Sequence, residues 1–236
     1  MVKGILFDLD DTLLRNDMSA FVQAYFSSLA PRIADFFPQN DFIPIITQAT
    51  QAMVQAPRSA RTLRQVFIEH FEKLSGLEFG RLEPIFLHYY QNEFKSVRAV
   101  SQPMAAAPAV MEAALKLTDR LVLATIPIFP LIAIQERLRW AGLQDIPFRL
   151  VTSFEIMHCC KPNPDYFIEI AEMVGCRPED CLMVGNDHVD DLAAKSAGMT
   201  TFLVTDFARN AGKSSIEPDY SGSINDLLSF LRRLYQ

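Results

Sequence analysis

The chain has 236 residues, 50% hydrophobic and 21% charged, enough to bury a full core as one large globular domain or a domain carrying an insertion. Its formal net charge of -6 leaves no basic stripe to neutralise a polyphosphate backbone, so nucleic acid is not expected as a partner. No apolar run reaches membrane-spanning length and Met1-Val2-Lys3-Gly4 leads straight into a strand pattern, so a cytoplasmic protein without a membrane partner is expected.

An apolar run predicts a first strand over 3–8, ending in Asp8-Leu9-Asp10-Asp11-Thr12. The stretch after it, from about 16 to 96, has no alternating strand pattern. It carries helical spacings instead: Phe21, Ala24, Tyr25 and Leu29, then 43–54, then 63–74 closed by Gly76, then 82–94 with Ile85, Phe86, Tyr89 and Tyr90 inward. A parallel crossover needs only about a dozen residues, so this stretch reads as an inserted helical domain. Further along, a helix is expected over 108–117 and a buried strand over 121–124, ending at Thr125. Next come a helix over 130–142 with Pro130 in its first turn, a short strand over 148–151 and a helix over 165–174 stopped by Gly175. A strand over 181–184 turns at Gly185, a helix over 190–197 ends at Gly198, a strand follows over 201–204, and an amphipathic helix over 224–235 closes the chain. Strands alternating with helices predict an α/β fold with a doubly wound parallel sheet, whose ligands gather at the carboxyl ends of the strands.

Asp8, Thr125, Lys161 and the Gly185 turn all fall at or just past those strand ends. Alternation along a strand would send Asp8 and Asp10 to the same side, and two carboxylates so close resist joint ionisation unless a cation or proton offsets them. Short acidic strings also occur in surface turns, and Asp187 to Asp191 would serve equally to cap the helix that follows. Cys159, Cys160, Cys176 and Cys181 show no Cys-x-x-Cys spacing and read as buried thiols rather than zinc ligands, despite His158 and His188 nearby.

Four stretches taken together resemble the haloacid dehalogenase superfamily, in its phosphatase-like branch. They are Asp8-x-Asp10-x-Thr12 after the first strand, Thr125 in LVLAT, Lys161 in CCKPNPDYF, and the acidic run in MVGNDHVDDLAAKSAGM. The resemblance implies a Rossmann-like core over 1–15 and 100–236 and a helical cap domain over 16–99. It implies Asp8 as nucleophile, Asp10 as acid and base, and Thr125 and Lys161 as holders of phosphoryl oxygens. It further implies Mg2+ held by Asp8, Asp10 through its carbonyl, Asn186 or Asp187, and Asp191, with a small phosphorylated metabolite as substrate. The chain departs from the family pattern at Ile126, where many relatives have Asn, and at Asn186, where relatives show Asp. Asp187 is slightly favoured over Asn186 as the ligand, and Asp190 reads as a helix N-terminal residue.

Two rivals stay open: a 2-haloacid dehalogenase, whose chemistry needs neither metal nor a second aspartate, and a non-catalytic binding module of the same fold. A phosphonate hydrolase would need a cap lysine, and Lys73 and Lys95 read as surface lysines. In the insert, Arg15, Asn16 and Phe21 lie near its start and are candidates to face a leaving group. Arg58, Arg61 and Arg64 read as a solvated helix face, and the aromatic residues as the insert's own core.

Overall fold

The computed structural model describes residues 2–37 and 42–234. Its centre is strand β1, Gly4–Phe7, every residue of which is buried. A two-stranded antiparallel ribbon, β2 (Leu14–Asn16) with β3 (Ser101–Pro103), marks where the chain leaves the sheet region and returns. Among the described residues, four α-helices lie between the two strands: α1 (Met18–Ile33), α2 (Phe42–Gln55), α3 (Leu63–Ser75) and α4 (Glu83–Asn92). The rest alternates: α5 (Ala107–Leu115), β4 (Leu121–Leu123), α6 (Leu131–Trp140), β5 (Leu150–Val151), α7 (Pro164–Val174), β6 (Cys181–Gly185), β7 (Thr200–Val204), β8 (Tyr220–Gly222) and α8 (Ile224–Leu234).

The helices begin and end where local chemistry dictates. Asp17 caps α1 by accepting from the amide of Ala20 at 3.0 Å, and Phe21, Tyr25, Leu29 and Ile33 then recur at one-turn spacing on its buried side. Thr62 and Gln65 form a reciprocal capping box on α3, which stops at Gly76 in the left-handed conformation (φ 69°). Aromatic rings tie α1 and the segment after α4 to the sheet region: Phe21 meets Phe129 edge-on at 5.9 Å, and Phe94 stacks on Trp140 at 5.1 Å. Such pairs contribute about 1 kcal/mol each beyond the area they bury.

The six core strands are all parallel, in the order β5-β4-β1-β6-β7-β8. From β1 the chain builds outward to β4 and β5, then crosses back to β6, β7 and β8. The direction of winding therefore reverses at β1, and the carboxyl ends of β4, β1 and β6 form the crevice where such sheets bind ligands. No helix among the described residues is long and apolar enough to cross a membrane.

Several boundaries differ from expectation. β2, β3 and β8 span three residues each, too few to show an alternating pattern in the sequence. Pro130 is the cap of α6 rather than part of its first turn. The expected helix over 82–94 is divided: α4 is flanked by 3-10 turns at Phe79–Arg81 and Phe94–Val100. The helix expected over 190–197 is a 3-10 helix, Leu192–Ala197, because Asp187 and Asp191 spend their carboxylates on the preceding loop. The last expected residue of α8, Tyr235, lies outside the described residues.

Candidate active site

Four loops at the carboxyl ends of adjacent strands bring the site together. Asp8 directly follows β1, its amide still paired with the carbonyl of Val184 at 2.9 Å. Thr125 follows β4 with one residue between, and its carbonyl is fixed by Tyr166 Oη at 2.7 Å and Thr152 Oγ1 at 3.0 Å. Lys161 comes from the loop ahead of α7, where the Lys161–Pro162 peptide is cis. Asn186, Asp187 and Asp191 follow β6.

The centre is a buried triad. Lys161 Nζ donates to Asp8 Oδ1 at 2.9 Å and to Asp191 Oδ1 at 2.6 Å, and its side chain is fully shielded from solvent. Burial pushes the Asp8 carboxyl well above the usual carboxylate range. Lys161 opposes that rise, whereas Asp191 and Asp10 add to it. Burial alone would lower Lys161, but Asp191 and Asp8 outweigh it and hold the ammonium charged. The other oxygen of Asp191 accepts the amides of Asn186 and Asp187, both at 2.9 Å. That close approach explains Gly185: a Cβ there would lie 2.2 Å from Asp191 Oδ2.

Asp10 is placed differently from the alternating-strand expectation. β1 ends at Phe7, and the chain turns tightly at Asp11 (φ 58°), with the amides of Thr12, Leu13 and Leu14 all pointing at the carbonyl of Leu9. Asp8 reaches Lys161, whereas Asp10 accepts hydrogen bonds from Arg137 and Asn16. The Arg137 side chain, from α6, is 3% exposed and lies against the rings of Phe21 and Phe129. Sequence reasoning missed Arg137. The available signal was its position three residues after Ile134, on the buried side of α6 with Ala133 and Leu138.

The loop after β6 separates the two candidate metal ligands. Asp187 Oδ1 accepts the amides of Val189 (2.7 Å) and Asp190 (3.0 Å), and its Oδ2 accepts Asn210 Nδ2 at 2.7 Å. Asn186 donates its amide to the carbonyl of Phe207 at 2.7 Å, which turns its Oδ1 toward Thr12 Oγ1, 3.2 Å away. Asp190 is half-buried, and burial first, then Asp187, raise its carboxyl to about 6. The segment after β7 thus braces this loop, and its Arg209 also ion-pairs with Asp11 at 2.6 Å. Arg209, Asn210 and Asp11 were invisible as site supports in the sequence, since they act through folds of the loop rather than through a motif.

The other sequence candidates fall as follows. Arg58 and Arg64 ion-pair with Glu172 and Glu83, and Arg61 with Glu69. Lys73 and Lys95 are exposed. Arg15 stacks over Phe207 at 4.6 Å. All four thiols are free, and Cys159 accompanies His158 around the buried carboxylate of Glu169.

Among the described residues no three His, Cys, Asp or Glu side chains converge as a metal cage. The oxygen donors that the strand-end loops carry are one carboxylate (Asp8), one side-chain amide (Asn186) and the main chain of the Asp8 to Thr12 turn. Hard oxygen donors of low total charge suit Mg2+.

The fold thus sets a buried aspartate at the switch point of a parallel sheet with a lysine against it. A family model described as haloacid dehalogenase-like hydrolase matches residues 2–198, and the chain belongs to that family. The chain is 27% identical over 219 residues to a glyceraldehyde 3-phosphate phosphatase of Methanothermobacter thermautotrophicus, covering 92% of each chain. Its fold is similar to that of a 2-haloacid dehalogenase from Pseudomonas syringae (TM-score 0.63, 21% identity, 99% of this chain and 100% of that one). It is similar also to a HAD phosphatase from Thermococcus onnurineus (TM-score 0.59, 20% identity, 98% of each chain).

Proposed function

We propose that the protein is a Mg2+-dependent phosphatase that hydrolyses a small phosphomonoester through an aspartyl-phosphate on Asp8. The supporting observation is the division of labour between two aspartates two residues apart. Asp8 is held by Lys161 in the buried triad, while Asp10 faces a separate cation and keeps contact with solvent. The phosphatase relative, which by its name acts on a phosphorylated compound, favours phosphorus over carbon as the centre attacked.

In this reading an Asp8 oxygen attacks phosphorus, the bond from phosphorus to the leaving oxygen breaks, and Asp10 gives that oxygen a proton. Water then attacks the same phosphorus, Asp10 takes its proton, and the Asp8 carboxylate and inorganic phosphate are regenerated. Lys161 and the Thr125 hydroxyl hold the phosphoryl oxygens in line, so that positioning and charge stabilisation carry the rate. Asp8, the Asp10 carbonyl and the Asn186 amide oxygen would hold Mg2+, which when bound offsets the charge of the phosphoryl group. The geometry favours Asn186 over Asp187 for this, because the Asp187 carboxylate already accepts three hydrogen bonds, from Val189, Asp190 and Asn210, whereas the Asn186 oxygen accepts one, from Thr12. Asp191 serves through Lys161. Residues 16–99 would act as the cap, entering and leaving by the ribbon of β2 and β3.

The test is phosphate release from p-nitrophenyl phosphate with and without Mg2+, for the wild type and Asp8→Asn, beside halide release from 2-chloropropionate. The expected result is phosphate release that needs both metal and Asp8. Halide release that survives chelation, with no phosphate released, would establish the dehalogenase instead. Inertness in both arms would leave the non-catalytic module.

A further inference from the structure

Cys176 and Cys181 lie at the amino ends of the core strands, across the sheet from Asp8. Cys181 opens β6, and Cys176 sits two residues past the end of α7. Parallel pairing sets Cys181 beside Gly4, the first residue of β1. A Cβ at Gly4 would lie 3.2 Å from Cys176 Sγ and 3.2 Å from Cys181 Sγ, so both sulfurs border the space that this glycine leaves open. Glycine weakens a strand and is found there where another group must come close. At Gly4 the groups that come close are the two sulfurs.

The two thiols differ in what can reach them. Cys181 is 1% exposed, and its Sγ donates to the carbonyl of Arg177 at 3.4 Å. Burial first, then Cys176 through its charge and a hydrogen bond between the two side chains, push the Cys181 thiol up to about 12. Cys176 is half-buried, and the Arg120 guanidinium donates to its Sγ at 3.8 Å. A cation against a sulfur steadies the negative charge it carries when it attacks. Cys159, by contrast, turns its thiol to the Glu169 carboxylate at 3.6 Å.

We propose that Cys176 and Cys181 close a reversible disulfide in the folded protein when it meets a low-molecular-weight disulfide such as oxidised glutathione. The Cys176 thiolate attacks one sulfur of the reagent, a mixed disulfide forms, and one glutathione leaves as a thiolate. The Cys181 thiolate then attacks Cys176 Sγ, the protein disulfide forms, and the second glutathione leaves. Two protein thiols are oxidised, the reagent is reduced to two thiols, and the protons of Cys176 and Cys181 pass to them. The second step is slow, because only about one in ten thousand of the Cys181 thiols is ionised at pH 8. The closed bond ties the end of α7 to the start of β6. The other ends of these two elements carry the loops of Lys161 and Asn186, so the bond braces the site from the far side of the sheet.

The test exposes the reduced full chain to oxidised glutathione at pH 8, then alkylates the remaining thiols in urea and counts them by intact mass. The expected result is that two of the four thiols are protected, with no glutathione retained and the mass lower by two hydrogens before alkylation. Cys181→Ala should stop at one bound glutathione, and Cys176→Ser should take up none. Should Cys181→Ala not fold, the wild type and Cys176→Ser decide the pairing without it. Closing a loop of about six residues removes chain entropy from the unfolded state, which in a chain of this size raises the melting temperature by about 4 °C, and dithiothreitol should reverse the rise. Four alkylatable thiols after exposure, glutathione that stays on the wild type, bonds between chains, or protection that persists in Cys176→Ser would each overturn the inference. Closure without the rise in melting temperature would overturn it too, since the fold would then have to shift to bring the sulfurs together.

Discussion

Gly185→Ala is the sharpest perturbation the site offers, because it adds one methyl group and touches no reacting residue. The new Cβ would lie 2.2 Å from both Cγ and Oδ2 of Asp191 and 2.7 Å from its Cβ. Carbon atoms pack at roughly 3.5 to 4 Å, so Asp191 must retreat by about 1 Å or more. Its bonds to Lys161 (2.6 Å) and to the amides of Asn186 and Asp187 (2.9 Å each) then pass beyond hydrogen-bond range. Hydrogen bonds to a charged group are worth about 1.5 to 3 kcal/mol each, and with partial relaxation the loss should be about 4 kcal/mol. That is a large share of the 5 to 15 kcal/mol typical of a folded domain. Urea unfolding followed through the single tryptophan, the buried Trp140, measures it directly. Asp191→Gly should cost a similar amount, since it removes the same three bonds. The double variant should cost little more than either alone, because the clash disappears with the side chain. A Gly185→Ala variant within about 1 kcal/mol of wild type, or a double variant whose cost is the sum of the singles, would refute the steric reasoning.

Asn186→Asp should tighten Mg2+ binding by about tenfold or more, read as a metal-dependent rise in melting temperature that is larger than in the wild type; an unchanged metal response would exclude Asn186 from the ligand set. Burial raises the thiols of Cys159, Cys160 and Cys181 to about 12, leaving roughly one in ten thousand as thiolate at pH 8. A thiol-disulfide reagent at that pH should therefore titrate at most one group in the folded protein, the half-buried Cys176, and all four in urea; two or more fast groups would contradict the burial. Glu169→Ala should destabilise by about 3 kcal/mol in urea, because the carboxylate is buried and holds His158 Nδ1 at 2.6 Å and the His158 amide at 3.3 Å; a cost below 1 kcal/mol would show those contacts to be incidental.

The sheet was legible because its strands are buried on both faces and so read as short apolar runs, with Gly175, Gly185 and Gly198 punctuating the segments between them. What stayed hidden has a common cause. The ribbon of β2 and β3 consists of two three-residue strands far apart in sequence, too short to show a pattern and paired only through the tertiary fold. The motif aspartates and Lys161 were visible because their residue types stand out at strand ends, where apolar residues stop. The distinction between Asn186 and Asp187 was not visible, because it depends on Asn210 and Phe207, which reach the loop from beyond β7. Arg137 was hidden for the opposite reason: its helix reads as ordinary amphipathic sequence, and only the fold shows that one charged residue faces inward.

The charges inside the site explain why that arginine is there. Asp8, Asp10 and Asp191 are three carboxylates around one pocket, and Lys161 alone would leave two negative charges for a substrate phosphate to approach. Arg137 reduces the formal excess to one. It also takes its share at Asp10, away from the triad, so Lys161 keeps both of its own partners. An aspartate in place of Asn186 would restore the second negative charge, and its benefit would depend on a bound cation. The amide therefore supplies an oxygen without adding to the repulsion that already pushes Asp8 upward. The same economy accounts for the sites of Arg137 and Asn186 at opposite edges of the crevice: each lowers the negative potential where the substrate's own charge must enter, one by adding a cation and the other by omitting an anion.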